Sequence, residues 1–171
     1  MVQSGANVSQ ECITAYNELK LNKKYKYIIF KLSDDDKQIV IEDQAVDETT
    51  ASQRQRMEEG ERKGREEQFW ETFREKIINA KSKTGAVGEG PRYAVYDLEY
   101  KISDTEGYRN KLLFIAWTPE ERAPPRAKMT YAASKGALKN ALTGIAHELQ
   151  ANYDDDIEYE TILKSVNRGL P

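Results

Sequence analysis

Six consecutive apolar residues, Leu112-Leu-Phe-Ile-Ala-Trp117, constrain the fold of this chain more than any other stretch. Successive side chains of a strand point to opposite faces, so a strand with no polar alternation must be covered on both sides. A central strand with a helical layer on each face is therefore expected. Its partner is the segment Arg92–Ile102, joined to it by the polar, glycine-containing stretch 103–110. A second hairpin is expected upstream, where Tyr25–Lys31 and Gln38–Glu42 are rich in aromatic and β-branched residues and flank the polar turn Ser33–Lys37.

Helical spacing supplies the layers. Ser9 is placed to cap a helix through about Leu21, with Cys12, Ile13, Tyr16 and Leu19 recurring every three to four residues. Phe69, Trp70, Phe73, Ile77 and Ile78 repeat likewise over 68–78, and Tyr159, Ile162, Leu163 and Val166 do so in a last segment that Gly169 and Pro171 end. A short strand is expected near Ile157. The order predicts an α/β (α+β) fold in which a central mixed β-sheet is sandwiched between helices. At 171 residues the chain fits one domain, 1–171. Residues 1–8 read as a flexible arm. The mixed-charge, glycine-containing stretch 51–67 reads as a loop insertion, with at most a helical end running into 68–78. Residues 81–91 form a second mobile connection; Gly85, Gly88 and Gly90 have neither dinucleotide-fold nor P-loop spacing.

Charge and reactive residues narrow the function. Twenty-six Lys and Arg against 29 Asp and Glu give no global attraction for nucleic acid. One cysteine and one histidine leave no internal disulfide and no metal-ligand cluster, so no cofactor or metal is expected. No apolar stretch approaches the roughly 20 residues that cross a bilayer, and the N-terminus lacks a leader-like pattern. These features point to an intracellular chain without membrane insertion. His147 is placed on an exposed helix face and Cys12 inside the first helix, so no catalytic residue is assigned and the chain reads as a non-enzyme.

Against a net charge of -3, the segment Arg126–Ile145 concentrates positive charge. It reads as a basic loop running into a helix that Ser134 caps. Ala137, Leu138, Ala141, Leu142, Ile145, Ala146 and Leu149 would face inward, and Lys139, Asn140, Thr143, His147 and Gln150 outward. The outer face is short on bulk at Gly136, Asn140, Thr143 and Gly144 and is edged by Arg126, Lys128, Lys135 and Lys139, a shape suited to an acidic cleft on another protein.

Four blocks resemble the ADF/cofilin family, with closest likeness to its fungal members: Tyr16–Phe30, Arg92–Tyr100, Phe114–Pro119 and 126–145. The resemblance implies an ADF-homology fold and an actin-binding protein that engages monomers and filaments, prefers the ADP form, and severs and depolymerises filaments. It assigns Arg126, Lys128, Met129, Ser134, Lys135 and Lys139 to monomer and filament binding. Arg109 and Lys111 before the apolar strand, with Lys164 and Arg168 on the last helix, become the filament-specific residues. Ser4 matches a regulatory phosphorylation position, and phosphoinositides and an actin-turnover cofactor protein become partners, the former as inhibitors. A monomer in the cytoplasmic actin cytoskeleton, at cortical structures, is implied, with nuclear entry left open. The chain departs from the family at Lys164-Ser165, Gly136 and Asn140, and segment 51–67 exceeds the usual length. Two other readings fit the charge pattern: a non-severing filament binder or branch regulator, and a phosphoinositide-binding module using Lys23, Lys24, Lys26, Arg126, Lys128, Lys135 and Lys139.

Overall fold

Alternation along the central strands divides the core in two. In β2 (Tyr25–Leu32), Tyr27 and Ile29 join one buried cluster while Ile28 and Phe30 join another. The same split runs through β4 (Arg92–Ser103) and β5 (Gly107–Trp117), where Tyr96 and Leu113 lie on the first side, Val95 and Phe114 on the second. The first face is covered by Trp70, Phe73 and Ile77 of α3 (Glu59–Ile78) and by Ile162 and Val166 of α5 (Tyr159–Arg168). The second is covered by Cys12, Tyr16 and Leu19 of α1 (Gln10–Asn22) and by Tyr131 and Leu138 of α4 (Pro125–Ala141). The two-sided cover that the apolar run Leu112–Trp117 demands is thus met. The computed structural model describes residues 6–81, 90–103, 105 and 107–168, with the side chains of Ala51, Asn167 and Arg168 outside that description.

The six strands run in the order β1-β3-β2-β4-β5-β6, where β1 is Asn7–Val8, β3 is Gln38–Val46 and β6 is His147–Ala151. Both expected hairpins form, with Tyr96 opposite Leu113 in the second. The two edges are parallel pairings, β1 with β3 and β5 with β6, which make the sheet mixed. Aromatic rings fix the α3 face: Trp70 meets Tyr96 edge-on at 4.7 Å between centroids, and its indole N–H donates to the carbonyl of Ile157 at 2.8 Å.

Three expectations are corrected. Stretch 51–67 is helical, forming α2 (Ala51–Arg56) and the first half of α3. Thr50 and Gln53 close a reciprocal capping box that starts α2. The mixed charges that read as solvated are one half of ion pairs whose other half sits on a strand or just past one: Arg62 with Glu99 at 2.7 Å, Arg65 with Asp47 at 2.5 Å and Glu66 with Lys26 at 2.7 Å. Lys26 and Glu66 are both buried, and burial holds the Glu66 carboxyl above its ordinary range despite the ammonium beside it. Secondly, the expected arm is tied down from residue 6 onward, with Ala6 buried and Asn7–Val8 paired to β3; Ser4 lies outside the described residues. Thirdly, Ile157 ends a 3-10 turn (Asp154–Ile157) instead of a strand, and the edge strand β6 comes ten residues earlier, starting at His147. Segment 81–91 lies largely outside the described residues.

Candidate functional site

Helix α4 begins at Pro125, nine residues before Ser134, and the expected basic loop is its opening turns. Proline suits the first helical position because its ring presets φ and no N–H is needed there. Ser134 therefore caps nothing. It is buried in mid-helix, and its Oγ accepts the Ala6 N–H at 3.0 Å. The helix also stops earlier than expected, at Ala141, after which Gly144 takes φ 92° and the chain enters β6. Gly144 serves here through a conformation that L side chains rarely adopt.

The rotation of α4 differs too. Tyr131, Ser134, Leu138 and Leu142 face the sheet, whereas Met129, Ala132, Ala133, Gly136, Ala137 and Asn140 form an exposed stripe at helical spacing. Ala137 was expected inside. The physical reason is area: burying tyrosine and leucine is worth several times as much as burying alanine, so the large residues set the face. Polar ties fix this orientation. Tyr131 Oη accepts from the Leu32 N–H at 3.0 Å, Tyr93 donates to the Tyr131 carbonyl, and Tyr16 donates to the Thr143 carbonyl at 2.5 Å. Burial pushes the Tyr16 hydroxyl up to about 12.

The cations on α4 are not equivalent. Lys128 donates to the Glu120 carbonyl at 3.0 Å. Lys135 lies 2.8 Å from Oε1 of Glu148, and Lys139 binds the other oxygen of the same carboxylate. Hydrogen bonds from the two lysines hold the Glu148 carboxyl below its ordinary range. Among the described residues the Arg126 guanidinium has no partner, and Met129, 73% exposed beside it, is no core methionine. Glu148 was not singled out from sequence; nothing local marks it, because its pairing depends on where β6 lies against α4.

A second group gathers on the opposite layer. Arg109 and Lys111 share the strand alternation of Leu113, which places them on the face that α3 and α5 cover. Lys164 is exposed on α5; the Arg168 side chain lies outside the described ones. His147, expected on an exposed helix, sits on β6 opposite Leu113, with Nε2 3.0 Å from Ser165 Oγ of α5. Burial and the Lys111 charge hold its imidazole below the ordinary value. The seven-cation patch does not assemble as expected, because Lys26 is buried against Glu66 and Lys23 pairs with Asp97 at 3.1 Å.

A slim basic helix on one layer, with a cationic hairpin and helix on the other, defines a protein-binding module built around a mixed sheet. Residues 5–167 match the family model described as "Cofilin/tropomyosin-type actin-binding protein". A cofilin from Gibberella zeae is 56% identical over 99% of each chain, and the Saccharomyces cerevisiae cofilin is 35% identical over 99% of this chain and 97% of its own. Among solved structures, Streptomyces griseoflavus cofilin superposes with a TM-score of 0.72 at 32% identity, covering 97% of this chain and all of that one. The chain belongs to the cofilin/ADF family of actin-binding proteins.

Proposed function

We propose that this protein binds monomeric and filamentous actin as a single ADF-homology domain and depolymerises filaments in the cytoplasmic actin cytoskeleton, with α4 as the face shared by both forms. The observation that carries the reading is the exposed stripe of α4: Arg126, without a partner among the described residues, and open Met129 lead into Ala132, Ala133, Gly136 and Ala137, which allow close approach of another backbone. Arg126 and Lys128 supply charge for acidic groups, and Met129 supplies apolar contact. Lys135 and Lys139 flank the stripe. Ser134 acts from beneath, by tying the helix to residue 6. Arg109, Lys111, Lys164 and Arg168 form the surface that filaments add. Severing, preference for ADP-actin, monomeric state, nuclear entry, inhibition by phosphoinositides, a turnover cofactor partner and control by phosphorylation at Ser4 belong to the same reading. A phosphate at Ser4 adds about -1.5 to -2 charge at neutral pH.

The test is co-sedimentation with actin filaments together with the rise in unpolymerised actin, beside an Arg126→Ala/Lys128→Ala variant of unchanged fold. Wild type is expected to pellet with filaments and shorten them, and the variant to do neither. Pelleting without shortening supports a non-severing binder; absence of pelleting overturns the assignment.

A further inference from the structure

The first turns of α3 lie between the two halves of the proposed filament surface. These turns meet the β4–β5 hairpin through Glu59, Arg62 and Glu66, whose carboxylate accepts the Glu99 N–H. Arg62 places its guanidinium 4.0 Å from the Tyr108 ring centre while its Nε donates to Glu99 of β4 at 2.7 Å, and Glu59 pairs with Lys101 at 2.6 Å. Tyr108 and Lys101 are register partners across the hairpin, one residue from Arg109. The same stretch of α3 lines a cavity of about 220 Å³ together with Glu99, Tyr100 and Tyr108 of the hairpin and Tyr159 and Leu163 of α5, next to Lys164. A cation stacked on a ring and bonded to a buried carboxylate holds two elements in one relative placement, since both partners lose freedom together.

We propose that residues 59–66 act as a wedge that fixes the separation of the β4–β5 hairpin and α5, and that Arg62 is the positioning residue for filament binding. The inference rests on the reading of Arg109, Lys111 and Lys164 as the filament surface. It makes this stretch of α3 specific to filaments: α4 lies on the opposite layer, and none of the wedge residues reaches it. Arg62 has no contact with actin in this scheme. Its effect passes through Tyr108 and Glu99 to the strand that carries Arg109 and Lys111.

The experiment compares Arg62→Ala, Arg62→Lys and a reference variant, Arg109→Ala/Lys111→Ala, in filament pelleting, monomer binding, and amide exchange of residues 100–103 and 107–110. Arg62→Ala is expected to lose roughly fivefold in filament affinity with monomer affinity held within about twofold, and to exchange its hairpin amides faster. Arg62→Lys, which keeps the charge but not the planar stacking, is expected to fall between. Should Arg62→Ala fail to fold, Tyr108→Leu, which leaves the Arg62–Glu99 pair in place, is judged by the same criteria. Pelleting of Arg62→Ala equal to wild type, with the reference variant impaired, overturns the wedge and leaves the filament surface standing. Equal loss of monomer and filament binding also overturns it. A reference variant that pellets like wild type overturns the surface and the wedge together.

Discussion

His147 and Glu148 are neighbours on edge strand β6, yet they engage opposite layers of the protein: His147 meets Ser165 of α5, and Glu148 grips Lys135 and Lys139 of α4. Strand alternation alone produces this division. A single strand therefore braces both candidate actin surfaces, one residue to each.

Glu148 neutralises part of the charge that α4 would offer an acidic partner. Glu148→Gln should release the two lysines, raise the association rate with actin at low salt by a few-fold, and steepen its decline with added salt. Stopped-flow binding at two ionic strengths measures this. The same carboxyl has a folded pKa below its unfolded one, so its contribution to stability is present above the ordinary glutamate value and is lost as pH falls through the lower, folded value. Thermal melts in the acid range should show that loss in wild type and a flatter limb in Glu148→Gln. Identical acid limbs would contradict the pairing.

His147 should titrate below a free histidine, because burial and then Lys111 disfavour its charged form. The unfolded chain takes up this proton first, so stability should decline as pH falls below about 6.5, the unfolded value, until the folded group also titrates. NMR titration of the single imidazole reads the midpoint directly. Lys111→Ala should raise it, and a wild-type midpoint at or above the free value would refute the half-buried placement.

The layers were legible in the sequence because they depend on large apolar side chains: Leu112–Trp117 forced a two-sided sheet, and Trp70, Phe73 and Ile77 announced α3. The limits of α4 were not, since alanines populate both its faces and dilute the periodic signal. Ser134 looked like a cap because serine often is one; its partner, Ala6, lies 128 positions away in sequence. The helical state of 51–67 was hidden for a related reason. Its charges are satisfied by Asp47 and Glu99, and no window along the chain contains both members of the Arg62–Glu99 pair.

Ser134→Ala distinguishes the buried tie from a cap. Removing Oγ leaves the Ala6 N–H without its acceptor in a buried site, at a cost of about 1–3 kcal/mol. Denaturant unfolding should show that loss, and the Ala6 amide should exchange faster, while the helix content of α4 stays unchanged. Loss of helix signal would restore the capping role. Because Ser134 is only 1% exposed, any fall in actin affinity should track the loosening of residues 6–8 and not a lost contact.

Gly136 sits in the middle of α4 on its exposed stripe, and a methyl group added there would meet no atom within 4 Å. Glycine in a helix interior is less favourable than alanine by up to about 1 kcal/mol, so Gly136→Ala should stabilise the protein and raise its Tm by roughly 2–4 °C. The position is also where the proposed actin face is thinnest. Two quantities measured on one variant then locate the contact. A rise in Tm with weaker actin binding makes Gly136 a point of closest approach, where only a hydrogen is tolerated. A rise in Tm with unchanged binding moves the contact toward the N-terminal end of α4, at Arg126 and Met129, which among the described residues are a guanidinium without a partner and the most exposed large apolar side chain. If Tm fails to rise, the gain expected from an exposed helix interior is absent, and the helical assignment at Gly136 loses its support.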